Sequence, residues 1–238
     1  MGATAQQAIA ANPQSGRQSL LLLTFPGAYA LLLSFILGLG GLFAMIFGAA
    51  IAGSEWTWGT LKAAVARGES RSRYQLLGFA SIAVMVGIGL VVAFVVGVAV
   101  AAFAAGLAGV AVTGIDDRAT IGTFPELLAR GWLALGEAAA LGFTIATLAR
   151  SQLAGIGVGI AVYFGEQFAS IFLPDIVKYL PFNAANAVVA TSGSFGGDGG
   201  GAVVSRLSPD TALLVVAAWL IGALAVTAIF TERAEISG

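Results

Sequence analysis

The chain has 238 residues, of which 58% are hydrophobic and 10% charged, and its formal net charge is −1. An average soluble domain carries about 25% charged residues, so this composition is that of a membrane protein. The near-neutral charge excludes an electrostatic nucleic-acid footprint, and the lack of histidine and cysteine in the sequence excludes histidine switches, disulfides, zinc–thiolate sites and thiol nucleophiles.

The first predicted elements are a polar start and one membrane span. Residues 1–19 are small and polar, and they lack the basic stretch before an apolar core that marks a signal peptide. The first span lies within residues 20–52, where Pro26 and Gly27 break the helix. Residues 29–52 remain to cross the bilayer, which takes about 20 apolar residues.

A polar segment, residues 54–73, follows the first span. Its apolar residues, including Trp56, Trp58 and Leu61, recur at helical spacings, which predicts a short helix at the cytoplasmic membrane interface. Ser70 is the predicted N-cap of the next span. The segment also holds four of the eleven basic residues of the chain, Lys62, Arg67, Arg71 and Arg73.

The second span belongs to an uncharged run over residues 74–115. As one helix this run would be about 60 Å long, about twice the thickness of the hydrocarbon core, so it either protrudes from the bilayer or folds into a hairpin. The lack of Pro, Asn and Asp in the run favours one long helix to about residue 107, while Gly87, Gly89 and Gly97 leave the hairpin open.

Three further spans complete the predicted fold. Residues 129–148 and 153–173 are two apolar segments joined by the short "ARSQ" turn at 149–152. The loop over residues 174–210 contains two apolar pieces too short to cross, followed by the glycine-rich linker "GSFGGDGGG". The last span covers residues 211–230. The whole chain is therefore predicted to be one all-α, polytopic transmembrane domain with about five spanning helices.

Two carboxylates interrupt the apolar spans, Glu137 in the third and Glu166 in the fourth. A carboxylate at bilayer depth costs about 2.5–3.5 kcal/mol on insertion scales, which predicts a polar partner or cavity for each. Together with Gln167 they are candidates for a translocation path, and the two carboxylates are also candidates for a cation site. The alternative for Glu166 is a structural residue that is protonated or held by hydrogen bonds. Gly155 and Gly159 form a small-xxx-small face that predicts close helix packing.

Orientation follows from the basic residues, because Lys and Arg close to span ends stay on the cytoplasmic side. Residues 54–73, the 149–152 turn and the carboxyl-terminal tail carry basic residues next to span ends. These parts are therefore predicted to lie inside, in a multi-pass protein of the cytoplasmic (inner) membrane. The amino terminus and the 174–210 loop are then outside.

The order of residues in "EWTWGTLKAAVARGESRSR" resembles the signature of ABC-2 type transporter permeases, in which a Glu, a Gly-Thr-Leu and a later Ser-Arg lie between two membrane helices. With the flanking spans, the resemblance covers about residues 20–230. It departs from the family in two ways: the usual first span is not seen, and the frequent Pro before Ser-Arg is replaced by Glu69. The matching positions are Glu55, Gly59, Thr60, Leu61, Ser70 and Arg71.

The resemblance implies the membrane subunit of an ATP-binding cassette transporter, in which residues 55–67 form a coupling helix that docks on an ATPase subunit. Thr60 and Leu61 would then face the ATPase, and Lys62, Arg67, Arg71 and Arg73 would pair with its acidic surface or with anionic membrane lipid. It also implies a homodimer, or a heterodimer with a related permease, that exports a drug, lipid or peptide.

The chain itself is not expected to be an enzyme. It has no G-x-x-x-x-G-K-[ST] loop, so ATP and Mg²⁺ would be bound by the separate ATPase subunit, and this chain would bind no cofactor of its own.

Two other functional classes remain open. An ion-coupled secondary transporter or channel would use Glu137 and Glu166 as coupling carboxylates and would need no ATPase. A membrane anchor without a transport path would use the basic segment 54–73 only to recruit a cytosolic protein. Activity that depends on Glu166 but not on Glu55 would favour the ion-coupled class.

Overall fold

The computed structural model describes residues 25, 27–107, 115–189 and 207–233, and every regular element in these ranges is a helix. The predicted all-α fold is therefore confirmed for these residues. The predicted polar start and the glycine-rich linker lie outside them. In chain order the helices are α1 (Gly27–Thr57), α2 (Thr60–Ala66), α3 (Arg71–Leu107), α4 (Arg118–Ala149), α5 (Gln152–Ala169), α6 (Pro174–Val177), α7 (Pro181–Val188) and α8 (Pro209–Arg233).

Four of these helices, α1, α3, α4 and α8, are long and apolar enough to cross a membrane. They overlap four of the five predicted spans, although α4 begins at Arg118, eleven residues before the predicted start at 129. The remaining predicted span, residues 153–173, corresponds to α5, which has 18 residues, ends at Ala169 and is not among the four.

Helix α3 is continuous over 37 residues, so the prediction of one long helix rather than a hairpin is confirmed as far as Leu107. At about 1.5 Å per residue it is about 55 Å long and extends beyond a hydrocarbon core of about 30 Å. Its start is fixed by Ser70, whose Oγ accepts a hydrogen bond from the backbone N–H of Arg73 at 3.3 Å, as the N-cap prediction required.

Helix α4 occupies the centre of the bundle and approaches α1 very closely through glycines. A Cβ at Gly142 would lie 2.0 Å from the carbonyl oxygen of Met45, and one at Gly48 would lie 2.1 Å from that of Ala139. The predicted packing face of α5 is confirmed, because a Cβ at Gly155 would lie 2.4 Å from the Cβ of Ala146. Small residues thus let three backbones pack together.

The predicted 174–210 loop contains two short helices, α6 and α7. Most of α7 is buried, including Phe182, Ala184 and Val188, and it packs against α4 and α8. The loop prediction was therefore too simple, because α7 forms part of the bundle core. The segment that forms α7 has only eight residues, which is too short for the spacing of its apolar residues to distinguish a helix from a strand.

The ends of the helices meet in two groups. At one end, the Oγ of Ser72 at the start of α3 donates to Glu232 at the end of α8, and Gly53 near the end of α1 contacts Gln152 at the start of α5. At the other end, Arg130 of α4 pairs with Asp210 at the start of α8 at 2.9 Å. Helices α1, α4 and α8 therefore run in one direction, and α3 and α5 in the other.

The two ends carry opposite charge. We call the first the basic end; it bears Lys62, Arg67, Arg71, Arg73, Arg150 and Arg233, with Glu55, Glu69 and Glu232. We call the second the acidic end; among the described residues it bears Asp116, Asp117, Glu126, Asp175 and Asp210, with Arg118, Arg130 and Lys178. All the basic residues that the sequence predicted to be cytoplasmic lie at the basic end.

Candidate functional site

The candidate docking element is α2, a helix of two turns that connects α1 to α3 at the basic end. Gly59 precedes it with a left-handed φ of 68°, a conformation that glycine adopts without steric cost. The Oγ1 of Thr60 donates to the carbonyl oxygen of Glu55 at 3.3 Å. The turn that sets the direction of α2 is therefore formed by residues of the predicted signature.

One side of α2 is anchored to the protein, because Leu61 is 1% and Ala64 0% exposed. Thr60, Lys62 and Ala63 lie on the exposed side. This differs from the expectation that Leu61 faces a partner, since its side chain is covered by this chain. A leucine in a short interfacial helix can either contact a partner or pack against its own bundle, and the sequence alone does not indicate which side of α2 the bundle covers.

The predicted coupling segment also begins later than expected. Glu55 lies in the last turn of α1, which continues to Thr57, so the helix break falls at Trp58 and Gly59 rather than at residue 54. The polar residues Ser54 and Thr57 do not end the helix, because their hydroxyls donate to carbonyl oxygens of α1 itself. Glu55 therefore extends from a membrane helix and not from the surface helix.

The Glu55 side chain points toward the start of α3. Its Oε1 would lie 3.4 Å from a Cβ at Gly78, and its Oε2 is buried without a hydrogen-bond partner among the described residues. Gln75 on α3 is fully buried beside the Glu55 carboxyl, and neither of its amide atoms makes a well-aligned hydrogen bond within the described ranges. Gln75 was not among the site residues predicted from the sequence. A glutamine one turn inside an otherwise apolar helix was the available signal.

Arg150 joins three helices at the basic end. Its guanidinium lies 5.1 Å from the ring centroid of Trp56 on α1 and 5.6 Å from that of Phe230 on α8, both within cation–π range. Its φ of 50° is left-handed, the conformation that ends α4. Sequence reasoning used Arg150 only for orientation, although an Arg in a two-helix turn was a visible signal.

The basic residues of the predicted docking segment lie around α2. Arg67 ends α2, is exposed, and donates its backbone N–H to the carbonyl oxygen of Ala64 at 3.1 Å. Arg71 is the first residue of α3 and is half-buried. Lys62, Arg67 and Arg71 thus lie on or beside α2, which makes the surface around it positive.

The predicted path residues do not share one environment. Glu137 is fully buried in α4, and Glu166 is 4% exposed near the end of α5. Gln167 is exposed. The Oε2 of Glu166 accepts hydrogen bonds from the backbone N–H of Phe182 and from the backbone and side-chain N–H groups of Asn183, at 3.1–3.2 Å. Glu166 therefore caps α7, a role that the sequence alone did not indicate.

The comparisons with known proteins identify a family but no activity. A family model described as a protein of unknown function (DUF2705) matches residues 14–233. No curated protein and no solved structure matches the chain.

Proposed function

Since the chain belongs to the DUF2705 family of proteins of unknown function, we propose its function from its own residues: it is the transmembrane subunit of an ATP-binding cassette transporter. The observation that carries this proposal is α2. A short helix between two membrane helices, anchored on one side and exposed on the other, provides a rigid surface on which a cytosolic ATPase docks.

The residue pattern and the geometry support the same surface. Gly59 and Thr60 of the ABC-2-like signature form the turn into α2, and Ser70 caps the helix that follows it. Leu61 transmits force rather than contacting the partner directly, because its buried side chain connects α2 to the bundle. Movement of a docked ATPase would therefore displace α1 and α3.

The basic end is the cytoplasmic end in this proposal. Lys and Arg next to membrane helices are retained inside the cell, and the end that bears α2 has an excess of them. Helix α5 then crosses as a fifth span, because it leads from the basic end to α7 near the acidic end. This topology belongs to the cytoplasmic membrane and places α6 and α7 outside.

The energy source is a second polypeptide. The sequence has no G-x-x-x-x-G-K-[ST] loop, so ATP and Mg²⁺ bind to the partner ATPase. The positive surface around α2 favours association with an acidic surface on that partner. A second permease subunit, identical or related, completes the transport path, and the substrate is an exported drug, lipid or peptide.

The proposal is tested by the charge of the α2 surface. We expect Arg67→Glu to weaken association with a co-expressed candidate ATPase at least tenfold and to abolish stimulated ATP hydrolysis, because it places a negative charge on the docking side. The matched control is Arg118→Glu, the same substitution at an exposed position of the acidic end. Binding and ATP hydrolysis are measured with the purified chain in lipid nanodiscs.

Three results would contradict the proposal. Equal effects of Arg67→Glu and Arg118→Glu would show that the basic end has no special role in docking. Substrate movement without any ATPase, lost on Glu166→Gln, would instead indicate the ion-coupled class. Association that depends on Arg67 without any transport would indicate an anchoring protein.

A further inference from the structure

Glu137 is the most deeply buried carboxyl group among the described residues. Its side chain is 0% exposed, and neither carboxyl oxygen has a hydrogen-bond partner in the described part of the chain. An ionised carboxylate in this position would lose its hydration without gaining hydrogen bonds or an opposite charge. The free-energy cost of such burial is among the largest for any group in a protein. A protonated, uncharged Glu137 avoids this cost.

Glu166 has the opposite environment although it is also buried. Three N–H groups, two from the backbone and one from Asn183, donate to its Oε2. Hydrogen bonds to a carboxylate oxygen favour the ionised form. Its other oxygen, Oε1, has no partner among the described residues. These three hydrogen bonds suit an ionised Glu166 that holds α7 through its charge, while burial of the group acts in the opposite direction.

The two carboxyl groups belong to one region of the bundle, because Ala138, next to Glu137 on α4, lines the same small cavity as Phe182, whose backbone N–H binds Glu166. Like charges at short range are relieved when one group keeps its proton. The neighbouring basic group on α4, Arg130, is already paired with Glu126 and Asp210. The hydroxyl of Tyr163 on α5 donates to the carbonyl oxygen of Gly38 and is not available to either carboxyl.

The other helices that the structure describes supply no compensating charge. Helix α7 contains no ionisable residue, α1 has none between Tyr29 and Glu55, α3 has none beyond Tyr74, and α8 has none between Asp210 and Glu232. Lys178, near α7, pairs with Asp175 and lies over the ring of Tyr179. Groups of three metal-ligating side chains are also missing from the described ranges, so a multidentate metal site is not formed there.

We propose that Glu137 and Glu166 form a proton-binding site that carries one proton at neutral pH, with Glu137 protonated and Glu166 ionised as the cap of α7. The site is separate from the α2 surface and needs no ATPase. It is nearest to water through the first turns of α7, where Asn183 is half-buried and Asn186 exposed. A second proton from that side would add an O–H bond to Glu166 and remove the charge that holds α7.

The site is tested by infrared difference spectroscopy on the full chain in nanodiscs at neutral pH. We expect a carbonyl band of a protonated carboxylic acid that shifts in D₂O, disappears in Glu137→Gln and persists in Glu166→Gln. Thermal unfolding provides the second measurement. Glu137→Gln resembles the protonated acid and should unfold near the wild-type temperature, whereas Glu166→Gln lacks the charged cap and should unfold at a lower temperature.

The alternatives give distinct results. A wild-type protein without the band, or a band that survives in Glu137→Gln, would overturn the proposal. Stability that rises with Na⁺ or K⁺ concentration at constant pH would do the same and would identify a bound cation. If Glu137→Gln does not fold, Glu137→Asp is the second variant, because it keeps a carboxylic acid on a shorter side chain. We expect it to shift the carbonyl band. An unshifted band would refute the assignment of the band to Glu137.

Discussion

Helices α3 and α4 are neighbours of similar length with opposite relations between polarity and burial. Within the most apolar 18-residue stretch of each, 17% of α3 and 67% of α4 is buried, yet α3 is the more apolar helix. In a soluble protein the more apolar helix would be the central one. The reversal is typical of membrane proteins, in which lipid is the apolar solvent and the interior of the bundle accommodates polar groups.

The two helices also differ in how they make contacts. The exposed side of α3 is lined with Val, Ile, Met and Leu, including Val92 and Val96. Helix α4 uses small residues against α1, and its Thr144 hydroxyl lies 2.9 Å from the Thr227 hydroxyl of α8. Lipid-tail contact requires only an apolar surface, whereas contact between helices requires close backbones and satisfied polar groups.

The largest expected effect comes from adding one methyl group to α4. Gly142→Ala would put a Cβ 2.0 Å from a backbone oxygen of α1, which cannot move without separating the helices. Overpacking costs about 1–3 kcal/mol and occasionally more. With about 2–4 °C per kcal/mol for a chain of this size, we expect the unfolding temperature to fall by about 5–10 °C.

The matched control is Gly89→Ala on α3, where a Cβ would meet nothing within 4 Å. It should leave the unfolding temperature unchanged or raise it slightly, because alanine favours helix over glycine. Equal losses in both variants, measured by thermal unfolding in detergent, would mean that α4 is not packed more tightly than α3.

An intermediate effect is expected from the threonine pair between α4 and α8. A double-mutant cycle of Thr144→Val and Thr227→Val should give a coupling of about 0.6 kcal/mol, and at most about 1.7, as for other hydrogen bonds between membrane helices. Denaturant-induced unfolding in mixed micelles measures it. Ser81→Ala on α3 should cost less, because the Ser81 hydroxyl donates only within its own helix. A coupling of zero would contradict the contact.

Much of this contrast could be predicted from the sequence, because it depends on local patterns. Three long uncharged runs predicted α1, α3 and α8, an apolar segment interrupted by Arg130 and Glu137 predicted α4, and the lack of Pro, Asn and Asp after Tyr74 predicted the continuity of α3. Ser70 as N-cap and Gly155 as a packing residue also follow from local rules. Each prediction needs only neighbours along the chain.

The remaining features depend on contacts between distant residues. Glu166 caps a helix that starts fifteen positions later, and Gln75 is buried beside Glu55 of another helix. Nothing in the sequence near Leu61 says which side of α2 the bundle covers. A polar residue in an apolar run can be recognised from sequence, but its partner is set by how the helices pack, and that is why the two carboxyls could be found but not assigned.

The smallest effect is expected at the starts of the two helices, where α4 has a charged cap and α3 a neutral one. Asp117 accepts hydrogen bonds from the side chain and backbone N–H of Thr120, and these bonds lower the pKa of its carboxyl. Because the pKa of Asp117 is lower in the folded state, its ionised carboxyl stabilises folding. This stabilisation is complete above the ordinary aspartate pKa and is lost as the pH falls through the lowered pKa of the folded state.

Asp117→Asn should therefore lower the unfolding temperature slightly at pH 7, with a difference from wild type that shrinks below about pH 3, since asparagine still caps but carries no charge. Ser70→Ala at the start of α3 should give a loss that is the same at both pH values, because the serine hydroxyl does not titrate there. Thermal unfolding of both variants at the two pH values decides the matter. A pH-independent loss in Asp117→Asn would show that the charge of this cap contributes nothing, and that the two helix starts are stabilised in the same way.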